Sequence, residues 1–106
     1  MHQAYMKAEL TTDKASYSHS DLCLIAVSVT DDTGPVAGVA VRAAVTNANG
    51  MRLAGESVTD ADGAASLSYK VDGERDGTGT YIVDLIASKF GFEPAGGSTT
   101  FEVRSA

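Results

Sequence analysis

The sequence predicts an all-β domain, a sandwich of two sheets built from about seven short strands. Three observations point there. Apolar residues recur at every second position in segment after segment, which places them on one face of an extended chain. Clusters of Gly, Asn, Asp and Pro separate these segments at near-regular spacing. No stretch repeats apolar residues at three and four with a cap at its start, so no helix longer than a single turn is expected.

In chain order the strands are expected at about 6–11, 21–30, 38–46, 51–59, 64–71, 80–88 and 99–104. Cys23, Ile25, Val27 and Val29 alternate with Leu24, Ala26, Ser28 and Thr30 in the second. Val39, Val41, Ala43 and Val45 form the apolar set of the third. Ala65, Leu67, Tyr69 and Val71 do so in the fifth, Tyr81, Val83, Leu85 and Ala87 in the sixth, and Phe101 and Val103 in the last. Between them lie "DDTGP" (Asp31–Pro35), "NANG" (Asn47–Gly50), "DADG" (Asp60–Gly63), "DGERDGTG" (Asp72–Gly79) and "GFEPAGG" (Gly91–Gly97). Gly supplies positive φ there, Asn and Asp bond their own backbone, and Pro fixes φ. The second and sixth strands are expected to be central, with Ile25 and Val27 meeting Val83 and Leu85 across the core. Tyr81 opens the sixth strand. Greek-key sandwiches often carry a tyrosine there whose ring is buried and whose hydroxyl bonds a nearby backbone group; ordinary core packing is the other reading.

Bulk properties narrow the classes of function. The 106 residues make one domain, long enough to bury a core without cross-links. Eight Lys and Arg stand against 14 Asp and Glu, a net charge of −6. Nucleic acid and anionic membrane surfaces demand a basic face, so neither is an expected partner. The single cysteine, Cys23, excludes an internal disulfide. Its flanks carry no basic group that would activate the thiol, so it reads as a small buried apolar residue. No apolar run approaches the roughly 20 residues that span a bilayer, and "MHQAYMKAEL" lacks the pattern of a signal peptide.

Acidic loops invite a calcium reading. A calcium hand starting at Asp60 fails, because positions 64, 65 and 71 are Ala, Ala and Val. One starting at Asp72 fits better through Asp72, Glu74, Asp76 and Gly77, yet Val83 stands where a bidentate Glu is required. Asp72, Glu74 and Asp76 are thus a weak metal candidate, with a solvated turn as the plainer reading. No cofactor is expected. His2 and His19 have no partner at the spacing of a zinc site or a nucleophile relay. "GTGT" (Gly77–Thr80) lacks the lysine and the helix of a phosphate loop. The chain is therefore expected not to be an enzyme. For ligand binding the best candidates are Phe90 and Phe92 in "SKFGFEP", before the last strand. Exposed aromatic rings in sandwich loops stack on sugars or contact proteins. Such rings also plug the open end of a sandwich. Phe92 is expected to be buried and Phe90 partly exposed.

The segments "DKASYSHSDLCLIAVSVTDDTGPVAGVAVRAAVT", "TDADGAASLSY", "GTYIVDLIAS" and "GFEPAGGSTTFEV" resemble the bacterial immunoglobulin-like modules of secreted and surface proteins, such as invasin and intimin repeats and macroglobulin-like domains. The likeness covers roughly residues 7 to 103. It rests on Tyr17 before the second strand, "GPVAGVAV" at the third, Thr59-Asp60 with Gly63 before the fifth, and "GTYIV" at the sixth. Ser18-His19-Ser20 departs from it where Gly is common. The resemblance implies a Greek-key sandwich and a non-enzymatic extracellular module that spaces or docks neighbouring domains. A carbohydrate- or protein-binding module and an accessory domain packed on a secreted enzyme are the alternatives. It also implies that "TDADG" is a hairpin turn, with Asp60 accepting backbone N–H bonds and Gly63 taking positive φ.

Overall fold

Each apolar alternation folds as a strand with one buried face. The computed structural model describes residues 4–104, the side chains of Gly73 and Glu74 excepted. Its elements are β1 (Lys7–Thr12), β2 (Ser16–Ser18), β3 (Leu22–Asp31), β4 (Gly34–Pro35), β5 (Ala40–Thr46), β6 (Arg52–Val58), β7 (Ala64–Lys70), α1 (Gly73–Asp76), β8 (Gly79–Ser88) and β9 (Ala95–Arg104). In one sheet β3 lies between β1 and β7, and β4 folds back on the end of β3. The other runs β2-β9-β8-β5-β6. All pairings within the sheets are antiparallel except that of β2 with β9. The fold is all-β, two sheets enclosing one core.

β3 and β8 are central, each paired on both edges. Ile25, Val27, Val83 and Leu85 are all buried in a single cluster with Val41, Val45 and Phe101. Full burial of such side chains contributes about 1.5–3 kcal/mol apiece, so the two inner faces hold the sheets together. Cys23 is fully buried beneath Tyr17, and burial pushes its thiol pKa up.

The turns are closed by their own side chains. Asn47 Oδ1 accepts from the N–H groups of Asn49 and Met51, at 2.9 Å each, and so shapes the β5–β6 hairpin. Asp31 Oδ1 accepts from Thr33 N at 2.8 Å and from its hydroxyl at 2.7 Å. At Asp60–Gly63 the structure corrects the expected hairpin. Asp60 does accept from Asp62 N (2.8 Å) and Ala64 N (3.1 Å), and Gly63 does take a φ of 71°. However, β6 and β7 belong to different sheets, so the turn carries the chain across the sandwich. Thr59 is its buried hinge. Its backbone stays paired with Val39, and its hydroxyl accepts from Val39 N and donates to Val36 O. Four residues later Gly63 O accepts from Val29 N in the other sheet. A Cβ on Gly63 would lie 2.5 Å from Val29 O, so the close crossing requires glycine.

The last strand also departs from expectation. Ala95, Gly96 and Gly97, read as turn residues, are paired with Ala87, Ile86 and Leu85. A Cβ on Gly97 would stand 2.9 Å from Leu10 Cδ2. Glycine there admits β1 close against β9 instead of bending the chain.

Candidate functional site

The described chain has two poles, set by the direction of β8. Ser88 and Ala95 lie at one, Gly79 and Arg104 at the other. Phe90 belongs to the first. There Phe92 N donates to Lys89 O at 3.1 Å, closing a reverse turn whose third residue, Gly91, has a φ of 90°. The turn is stitched to the start of the chain: Ala4 N donates to Gly91 O at 3.1 Å and Glu93 N to Ala4 O at 2.9 Å. Lys89 holds it from the other side. Its ammonium donates to Ala37 O at 2.6 Å and sits 5.9 Å from the Phe92 ring centroid.

Gly91 lets the two phenylalanines point apart. Phe92 is half-buried and packs on the core cluster. Phe90 is fully exposed, further out than the partial exposure expected. Tyr5, next to the Ala4 that pairs with Phe92, is 76% exposed. Two aromatic rings therefore stand in water at the pole where the described chain enters. Their chemistry is stacking and apolar contact.

At the opposite pole the aromatic rings are enclosed. Tyr17, Tyr69, Tyr81 and Phe101 form one cluster, with Tyr17 and Tyr81 each 5.2 Å from Phe101 between ring centroids. Tyr81 OH donates to Gly77 O at 2.6 Å, the backbone bond expected of it. Tyr17 OH donates to Asp13 Oδ1, which also accepts from Leu24 N. That hydroxyl holds the Asp13 carboxyl below its usual pKa, while burial and Asp13 push the phenol up.

The acidic loop is bonded into the fold through Asp72 and Asp76. Asp72 Oδ1 caps α1 by accepting from Arg75 N at 3.0 Å, and it lies 3.5 Å from His19 Nδ1. Asp76 is a correction: it is 6% exposed, not a solvated turn residue. It accepts from Tyr69 OH at 2.7 Å and from Arg75 Nε and Nη2 at 2.9 and 3.0 Å. Arg75 and then Tyr69 hold its pKa down to about 2, against the desolvation that raises it. Both oxygens thus face protein donors. The Glu74 side chain and His2 lie outside the described residues. Among the described residues no three His, Cys, Asp or Glu stand together as metal ligands would. The sequence missed the Tyr69–Asp76–Arg75 trio. Its one signal was the acid seven residues after a tyrosine on an apolar face.

No protein-family model and no curated protein matches the chain. Solved structures do. A superoxide reductase (neelaredoxin) from Ignicoccus hospitalis superposes with a TM-score of 0.70 at 8% identity, over 92% of this chain and 80% of that one. The alkylpurine DNA glycosylase AlkC of Pseudomonas fluorescens, bound to DNA with an abasic site analog, gives 0.62 at 15% identity, over 95% of this chain and 31% of that one. A conjugative transposon lipoprotein of Bacteroides eggerthii gives 0.57 at 10% identity, over 91% of this chain and 95% of that one. At such identities what the chain shares with these proteins is the architecture of its β-sheets.

Proposed function

We propose that this chain is a non-catalytic immunoglobulin-like module of a bacterial secreted or surface protein, one that spaces or docks neighbouring domains. The strand order supports the Greek-key reading. β3 pairs with β7 and β5 with β8, although other strands separate each pair in sequence. The Tyr81 hydroxyl bonded to the backbone four residues upstream supports it too. The observation that carries the spacer role is the placement of the ends. Ala4 is bonded at the Gly91 turn and Arg104 pairs with Ser18 beyond the far end of β8. Modules joined through such ends line up lengthwise.

Small-angle scattering of a tandem of three copies tests this. The maximum dimension is expected to grow with each copy by about the 52 Å long axis of the chain. A three-copy tandem hardly longer than one copy would contradict the spacer role.

The exposure of Phe90 and Tyr5 favours a second role at the same pole, a contact face for a protein or carbohydrate ligand or for a catalytic domain alongside. Large apolar rings in water are the ones that gain most from being covered.

A further inference from the structure

The outer strand of the larger sheet is open, and its side chains complement their own reflection. We propose that β6 pairs antiparallel with β6 of a second copy of this chain, about a two-fold axis through Ala54. This stands independently of the spacer reading.

The backbone is prepared for it. Asn47 N donates to Met51 O and Thr59 N to Val39 O, so the odd-numbered residues of β6 face β5. Antiparallel ladders alternate, and Arg52, Ala54, Glu56 and Val58 therefore turn their N–H and C=O groups outward. Among the described residues no strand pairs with that edge. Of the devices that usually blunt an edge, β6 carries only the charges of Arg52 and Glu56: it has no proline, no lysine and no bulge, and its register with β5 is unbroken over seven residues.

Charge selects both the partner and the register. Arg52 and Glu56 flank Ala54 on the outer face, their side chains 63% and 76% exposed. Their partners within the chain, Asp84 and Arg42, are 4.0 Å away. Centring the pair on Ala54 sets each Arg52 opposite Glu56 of the other copy, twice over. Centring it on Arg52 or Glu56 opposes like charges, and centring it on Leu53 or Gly55 leaves both charges facing uncharged residues. On the inner face the same register places Leu53, 60% exposed, opposite the bare Gly55 and diagonal to the second Leu53. A two-fold contact of this kind closes at two copies.

Sedimentation equilibrium tests it. The wild type is expected to shift with concentration from the 10.9 kDa chain mass to twice that value. Glu56→Arg opposes arginine to arginine and should weaken dimerisation on the order of tenfold or more. Adding Arg52→Glu exchanges the two signs and should restore it, while near-UV circular dichroism checks that both variants fold. In the wild type, amide exchange at Arg52, Ala54 and Glu56 should slow with rising concentration, whereas Leu53 and Gly55 should be protected throughout. A chain that stays monomeric at millimolar concentration, its edge open only to foreign strands, overturns the proposal. So does a dimer indifferent to Glu56→Arg, or one that the double exchange fails to rescue.

Discussion

The two poles of this sandwich use aromatic residues in opposite ways. At the Gly79 pole Tyr17, Tyr69 and Tyr81 are buried and each hydroxyl donates to Asp13, Asp76 or the Gly77 carbonyl. The loop glycine there is crowded, since a Cβ on Gly77 would lie 3.2 Å from Asn49 Oδ1. At the Phe90 pole Phe90 and Tyr5 face water, and a Cβ on Gly91 would meet nothing within 4 Å. The difference teaches what a buried hydroxyl does. It ties a ring to a named backbone or carboxylate partner, so the loops around it cannot move without breaking bonds whose loss leaves a buried group unpaired. The Phe90 ring has no such tie, and its turn is held only through the backbone, Lys89 and the Phe92 ring.

The sharpest way to break this contrast is at the closed pole. Tyr81→Phe keeps the ring and leaves the Gly77 carbonyl without its donor. A loss of roughly 1–3 kcal/mol is expected, read as a lower urea midpoint with the slope unchanged. A neutral result would mean that the ring alone holds the pole together.

A smaller effect is expected from acid, because Arg75 is largely exposed and its pairing with Asp76 is screened by water. The sign follows from the depressed pKa. An unfolded aspartate titrates at about 3.9, whereas folded Asp76 does so at about 2. Its contribution is therefore complete above about pH 4 and fades as pH falls toward 2. Thermal melts of the wild type and Asp76→Asn across that interval check it. The variant should start less stable at neutral pH, and its deficit should shrink in acid. A constant deficit would place the effect of the substitution in packing rather than charge.

The sequence announced the strands because a half-buried strand writes its burial at every second residue, as Cys23 to Val29 and Tyr81 to Ala87 do. It could not announce β2 or β4, whose three and two residues are too few to hold a period. Gly96 and Gly97 misled because glycine signals a bend and a close approach with the same letter. The Asp60 turn was legible as a turn, but which sheet each flank joins depends on pairing with Val39 and Val29, many residues away. The burial of Asp76 is illegible for a similar reason: its neighbours in sequence are polar, and only the fold brings Tyr69 over it. The aromatic site was half legible. The spacing of Phe90 and Phe92 about Gly91 suggested that they part, yet nothing local says that Tyr5 comes to the same pole.

The most direct measurement is the equilibrium urea unfolding of Phe90→Ala. If the Phe90 ring belongs to a contact face and contributes nothing to the fold, the variant should match the wild type within about 0.5 kcal/mol. A loss of more than about 1 kcal/mol would contradict that, since a change of this size requires a ring that is packed in the folded chain.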